Sequence, residues 1–106
     1  MKPVVPRVAA ELDVDTIADR YTAEAGEDVA RAFAEALRAA YRAISERPRT
    51  GSLRFGEEYD VSGLRSRLLG RFPYFVFYIE RDDHIDVWRV IHAQRDIPAV
   101  LRQGKV

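Results

Sequence analysis

The chain contains no cysteine. That excludes disulfides and thiolate metal sites and removes any need for an oxidising compartment. Histidine is nearly as scarce: His84 and His92, eight residues apart, are the only two. They are a poor basis for a zinc site, and no metal or cofactor is expected. No apolar run approaches the ~20 residues of a membrane helix. The opening Met-Lys-Pro-Val-Val-Pro-Arg-Val has no signal-peptide core, so the cytoplasm is the expected compartment. Lysine is confined to Lys2 and Lys105 near the two ends, and the formal net charge is zero. Without a global basic field, long-range attraction to nucleic acid is weak, and no direct nucleic-acid binding is expected. Repeats, low-complexity stretches and linkers are absent too. The 106 residues, 47% of them hydrophobic, describe a single domain over 1–106. Such a chain can bury roughly 60–65% of its unfolded surface.

What is present is concentrated in the last third. Phe72–Ile79 and Ile85–Ile91 read as two strands joined by the polar turn Arg81-Asp82-Asp83-His84. Five of the seven residues Phe72–Tyr78 are aromatic, too apolar for a solvated surface, and this two-sided hydrophobicity predicts that something covers the second sheet face. Charged groups gather where the second strand ends: Arg89, His92, Arg95 and Asp96. A buried hairpin ending in a cationic cluster presents charge on rigid supports. The zero net charge also hides asymmetry, since residues 1–46 carry −3 and residues 47–81 carry +3, the latter from seven arginines against four acids.

Upstream, Val4–Val8 suits an edge strand, because Pro3 and Pro6 cannot donate to a ladder. From Ala10 to Glu24 the apolar positions Val14, Ile17, Ala18, Tyr21 and Ala25 recur at helical steps, and Gly26 offers a stop. A second helix carries Val29, Phe33, Leu37, Ala40, Tyr41 and Ile44 on one face, with Arg31–Glu35 and Glu35–Arg38 able to pair on the other. Pro48 forbids its continuation. The short break implies an αα-hairpin. Pro48–Gly63 reads as loop, Leu64–Leu69 as a strand, and Gly70-Arg71 as a tight turn. A short C-terminal helix or tail follows from Asp96, with Pro98 near the first turn and Asp96 as the cap of such a helix. The predicted fold is α+β, in the order β-α-α-β-β-β: an N-terminal edge strand, an αα-hairpin, then a three-stranded antiparallel sheet with the helical pair on one face.

In this order and spacing the residues carry a resemblance. Ala10–Leu12 and Ile17–Tyr21 open the first helix, Arg47-Pro48-Arg49-Thr50-Gly51 stops the second, and Leu64-Arg65 enters the sheet. Gly70-Arg71-Phe72, Phe77-Tyr78, Arg89-Val90-Ile91-His92 and Arg95-Asp96 follow. From about Val4 to Leu101 the chain resembles the RelE/ParE superfamily of type II toxin–antitoxin toxins, and its ParE branch most closely. The resemblance implies a small toxin held inactive by a cognate, ParD-like antitoxin that wraps its surface in a toxin–antitoxin hetero-oligomer.

Two activities occur in that superfamily. RelE-like members cut messenger RNA on the ribosome, which requires a proton acceptor, a proton donor and cations for the phosphate. ParE-like members poison DNA gyrase by protein–protein contact and need no catalytic group. This chain has no interior lysine, and its last tyrosine is Tyr78 within the apolar strand. An endonuclease would have to rely on His92 with Arg89 and Arg95, aided by Arg65 or Arg71. That set is incomplete, so the resemblance implies a gyrase poison with no catalytic residues. A module that binds an antitoxin without toxicity is the third reading.

Arg65, Arg71, Trp88, Arg89, His92 and Arg95 are the candidates for contact with antitoxin or target. Each has a structural alternative. His92 is a packed strand-end residue or a catalyst. Arg89 is a clamp, or the partner of Asp86 or of a carboxylate on a neighbouring strand. Arg95-Asp96 is a helix-starting turn, with Arg95 left open. Trp88 and Val87 alternate across the sheet, so Trp88 is either core or, on an open face, an interface anchor; the pattern favours core or half-buried.

Overall fold

The computed structural model describes residues 1–104; Lys105 lies outside them. Strand β1 (Val4–Pro6) leads into helices α1 (Val8–Ala25) and α2 (Glu27–Glu46), and a 3-10 turn over Pro48–Thr50 precedes the short α3 (Arg54–Glu58). Strands β2 (Leu64–Leu69), β3 (Phe72–Glu80) and β4 (Ile85–His92) follow, and α4 (Ile97–Gly104) ends the described chain. The sheet order is β1-β4-β3-β2. The last three strands form the expected antiparallel meander, while β1 joins at the edge, parallel to β4, with Val4 opposite Ile85. No helix among the described residues is long and apolar enough to cross a membrane.

Between α1 and α2 a single residue, Gly26, takes φ 95°, a backbone state that costs a side-chain-bearing residue free energy. In α2 the buried positions Phe33, Leu37, Ala40 and Ile44 form one stripe at three- and four-residue steps. On its outer face Arg31 pairs with Asp28 at 3.2 Å rather than with Glu35; the exposed turn offered both carboxylates, and the i−3 partner at the helix start is the one engaged.

The αα-hairpin covers one face of the sheet. There Phe72, Tyr74, Val76 and Tyr78 of β3, with Val87 and Val90 of β4, meet Ile17, Phe33, Leu37 and Ile44. The rings of Tyr21, Phe33, Phe72 and Tyr74 stand 5.6–6.3 Å apart in tilted and edge-on pairs, the geometry aromatic quadrupoles prefer. The second face is covered as well. Phe77, Ile79, Trp88 and Ile91 pack under Phe55 of α3 and Ile97, Val100 and Leu101 of α4. Burying each such side chain contributes ~1.5–3 kcal/mol, so the short helices are held by this contact rather than by their own propensity. Asp96 caps α4, its Oδ1 accepting from Ala99 N at 3.3 Å.

The expectation of a featureless loop over Pro48–Gly63 is corrected. Pro48 opens a 3-10 turn, and Phe55 anchors α3 against Phe75 and Phe77 at 5.2 and 5.4 Å. A helix of five residues is too short to show a period in sequence. The turn is latched by Tyr78, whose buried hydroxyl donates to Pro48 O at 2.7 Å and accepts from Gly51 N at 3.1 Å. A Cβ at position 51 would lie against that hydroxyl, 2.9 Å from the ring carbon bearing it, so only glycine fits there without displacing Tyr78.

A β-bulge positions the end of β4. Tyr78 pairs with Val87 and Phe77 with Arg89, which leaves Trp88 as an extra residue. Val87 and Val90 therefore both face the hairpin, while Trp88, 5% exposed, points to the second face under α4. Beside it lies Asp86, 8% exposed. Its carboxylate accepts from Arg7 Nε and Nη2 at 3.0 Å each, from Arg81 Nε and Nη2 at 3.2 and 2.9 Å, and from Trp88 Nε1 at 3.2 Å. Arg7 also stacks over Trp88 at 4.4 Å.

Burial alone would push Asp86 up, but the hydrogen bonds from Arg7 and Arg81 outweigh it and hold the carboxyl below its usual range. A carboxylate depressed in the folded state stabilises fully above its unfolded pKa, near ~3.9, and that stability fades as pH falls through the lower folded value. Asp86→Asn is expected to cost about 2 kcal/mol at pH 7. This is less than a fully buried pair would lose, because Arg7 and Arg81 can regain water. Urea denaturation at pH 7 and at pH 3 should show the gap between wild type and variant shrinking in acid. An equal gap at both pH values would mean that charge is not what Asp86 contributes.

Candidate functional site

Helix α1 brings a carboxylate to the end of β4. Asp13 lies three residues after the buried Ala10 and four before the buried Ile17, so its side chain is on the inward stripe of the helix and must find donors there. It finds three. Arg89 donates through Nε and Nη2 at 2.7 Å each, and the Val90 backbone N–H donates at 3.0 Å. The two side chains are only 16% and 11% exposed. The Asp13 bonds raise the already high Arg89 pKa. On α2, Tyr41 is pushed up to about 12, first by burial and then by Glu11 and Asp13. The partner of Arg89 is thus on a helix, and is neither Asp86 nor a carboxylate on a neighbouring strand.

Next to this pair, a cleft of about 360 Å³ opens between α1 and the end of the sheet. Asp13, Thr16, Ile17 and Arg20 line it from α1, Tyr74 from β3, Val90 and His92 from β4, and Arg95 from the segment beyond. Tyr74 is directly opposite His92 in the ladder, and their rings meet edge-on at 5.1 Å. His92 Nδ1 accepts from Gln94 N at 3.1 Å. An amide N–H needs a lone pair to donate to, so that geometry assigns the ring proton to Nε2, which is left as a donor. Arg20 and Arg95 are exposed and hold no ion pair or hydrogen bond among the described residues.

The other expected site residues are elsewhere. Arg65 donates to the carbonyls of Arg49 and Gly51 at 3.0 and 2.9 Å and thereby straps the 3-10 turn to β2. Arg71 is exposed at the β2–β3 turn, its guanidinium 5.3 Å over the Phe72 ring. Trp88 is buried beneath α4. Of the six candidates, Arg89, His92 and Arg95 gather at one place, and Arg65, Arg71 and Trp88 do not join them. Asp13, Thr16, Arg20 and Tyr74 complete the cleft from outside those six. Asp13 alone had a legible signal, a charge on the apolar stripe of a helix.

In chemical terms the cleft is rich in donors and poor in proton acceptors. Asp13 already accepts three hydrogen bonds, Arg89 is spent on it, and Tyr74 is 6% exposed. Strand cleavage of RNA needs an acid and a base at one phosphate; here a single imidazole is placed for either. Among the described residues no group of three His, Asp or Glu side chains gathers as a metal site would require.

The family model described as "ParE toxin of type II toxin-antitoxin system, parDE" matches residues 4–97. Among solved structures, a chain from a chromosomal ParDE TA system of P. aeruginosa shares the fold with a TM-score of 0.73 at 20% identity; the match covers 89% of this chain and 98% of that one. No curated protein matched the sequence.

The Asp13–Arg89 pair is expected to act as one unit. Arg89→Ala and Asp13→Ala should each lower stability by about 3 kcal/mol, since each leaves a buried charge uncompensated. The double variant should lose much less than the two together. Strictly additive losses in urea titrations would mean that the two side chains do not stabilise each other.

Proposed function

Since this chain belongs to the ParE toxin family of type II toxin–antitoxin systems, we propose that it inhibits bacterial DNA gyrase by protein–protein contact and is neutralised by a cognate ParD-like antitoxin. It acts in the cytoplasm, needs no cofactor or metal, touches no nucleic acid directly and is stored as a toxin–antitoxin hetero-oligomer. The observation that carries contact over catalysis is the closed Asp13–Arg89 pair. It removes the best-placed arginine from any phosphate and leaves His92 without a second acid or base. Arg71, His92 and Arg95 are then contact residues at the surface, Arg65 secures the turn beside β2, and Trp88 and Arg89 support the contact surface from beneath.

The RelE-like alternative draws on one feature, His92 lining a cleft with two arginines that hold no ion pair among the described residues. Purified chain, freed of antitoxin, is expected to inhibit gyrase supercoiling and accumulate cleaved DNA, with reversal on adding antitoxin. His92→Ala should retain that effect and retain growth arrest on expression. If the chain leaves gyrase untouched and cuts messenger RNA only with ribosomes present, and if His92→Ala abolishes that, the contact reading fails. Expression without growth arrest would instead leave an antitoxin-binding module.

A further inference from the structure

The cleft between α1 and β4 carries more cationic than anionic groups. Its one carboxylate, Asp13, is neutralised by Arg89. Two guanidiniums, Arg20 and Arg95, then remain without an ion pair or hydrogen bond among the described residues. Thr16 and Arg20 are three and seven residues beyond Asp13 on α1, so all three share one helix face. His92 lines the cleft from β4, and Nε2–H is the donor its ring has left because Nδ1 accepts from Gln94 N. The cationic groups here only donate, and the carboxylate that could compete, Asp13, already accepts three hydrogen bonds.

From this we infer that the cleft is a recognition site for a carboxylate, specifically the acidic side chain of a partner polypeptide. It takes from the proposed function only that a polypeptide covers this surface. Three observations favour a Glu or Asp side chain over a phosphate. The floor is apolar, made by Ile17, Val90 and the Tyr74 ring, and suits the methylene stem of a side chain. The backbone amides that could cradle a phosphate at this end of β4 are engaged, Val90 N with Asp13 and Gln94 N with His92. The chain is neutral overall, so no long-range field gathers phosphate polymers. At about 360 Å³ the cleft holds a whole side chain with room to spare. Arginine forks bind carboxylates in two-point fashion, as Arg89 does with Asp13 beside the cleft.

The test titrates the full chain with N-acetyl-glutamate amide, with N-acetyl-glutamine amide as the uncharged control and inorganic phosphate as the competing anion. The signals followed are the His92 ring and the side-chain Nε–H of Arg20 and Arg95 by NMR. The glutamate derivative is expected to shift all three sets saturably, and the glutamine derivative to leave them in place. Arg20→Ala and Arg95→Ala should each weaken binding about tenfold, the scale of one charge-assisted contact. Both positions are exposed, so thermal melts should match wild type. Equal shifts with the glutamine derivative, tighter binding of phosphate, or no saturable shift would each overturn the assignment. These readouts are independent of gyrase, so an inert supercoiling assay leaves the cleft standing and a failed titration leaves the toxin reading standing.

Discussion

Asp86 is the point through which the far ends of this fold are joined. A carboxylate removed from water is tolerated only when donors replace the water, and here they come from three places: Arg7 at the start of α1, Arg81 at the hairpin turn, and the Trp88 indole. Arg7 precedes α1 directly, so satisfying Asp86 dictates where that helix leaves the sheet. A turn and a half later Asp13 meets Arg89 on the other side of the bulge. Helix α1 is thus pinned to β4 twice by ion pairs of opposite polarity, arginine on the helix side in the first and aspartate in the second. The cleft beside Arg89 exists because of that double attachment.

The bulge at Trp88 has the same importance for the sheet. An uninterrupted β4 would alternate strictly and could not send Val87 and Val90 to one face. With one extra residue, the strand delivers valines to the hairpin, an indole to α4 and a guanidinium to α1. Both sheet faces are consequently filled. Polar groups with freedom to act remain at the periphery, where β4 ends and α1 runs past it. A molecule arranged this way offers a shaped, charged surface on a rigid core.

Much of this architecture could be read from local pattern. The boundaries of β2, the aromatic strand, the Gly26 break and the Asp96 cap all rest on interactions within a few residues, where period and capping chemistry speak directly. The cover over the second sheet face was also legible, because Phe75 and Phe77 could not both face inward with Tyr74 and Val76. What escaped depends on contacts distant in sequence. The parallel partner of β1 is about 80 residues away. Helix α3 owes its existence to Phe55 reaching two rings of β3 rather than to any repeat of its own. At the site, His92 and Arg95 were visible as a cluster, whereas Thr16 and Arg20 became their neighbours only through the crossing of α1 over β4. Asp13 and Arg89, 76 residues apart, could be recognised separately as needing partners but not as each other's.

The strand order also bears on when this surface comes into being. The β2–β3–β4 meander closes only short loops, so its strands can pair soon after they are made. Strand β1, synthesised first, has to wait for Ile85–Val87 to appear before it has anything to pair with, and the long loop it closes makes that step the late one. The cleft, with one wall from α1 and the other from the end of β4, is assembled by that same closure. A nascent chain halted before β4 carries α1, α2, α3 and much of the aromatic core yet lacks the wall that Val90, His92 and Arg95 supply, so whatever this protein does through the cleft begins abruptly, once β4 has been made and has closed against β1.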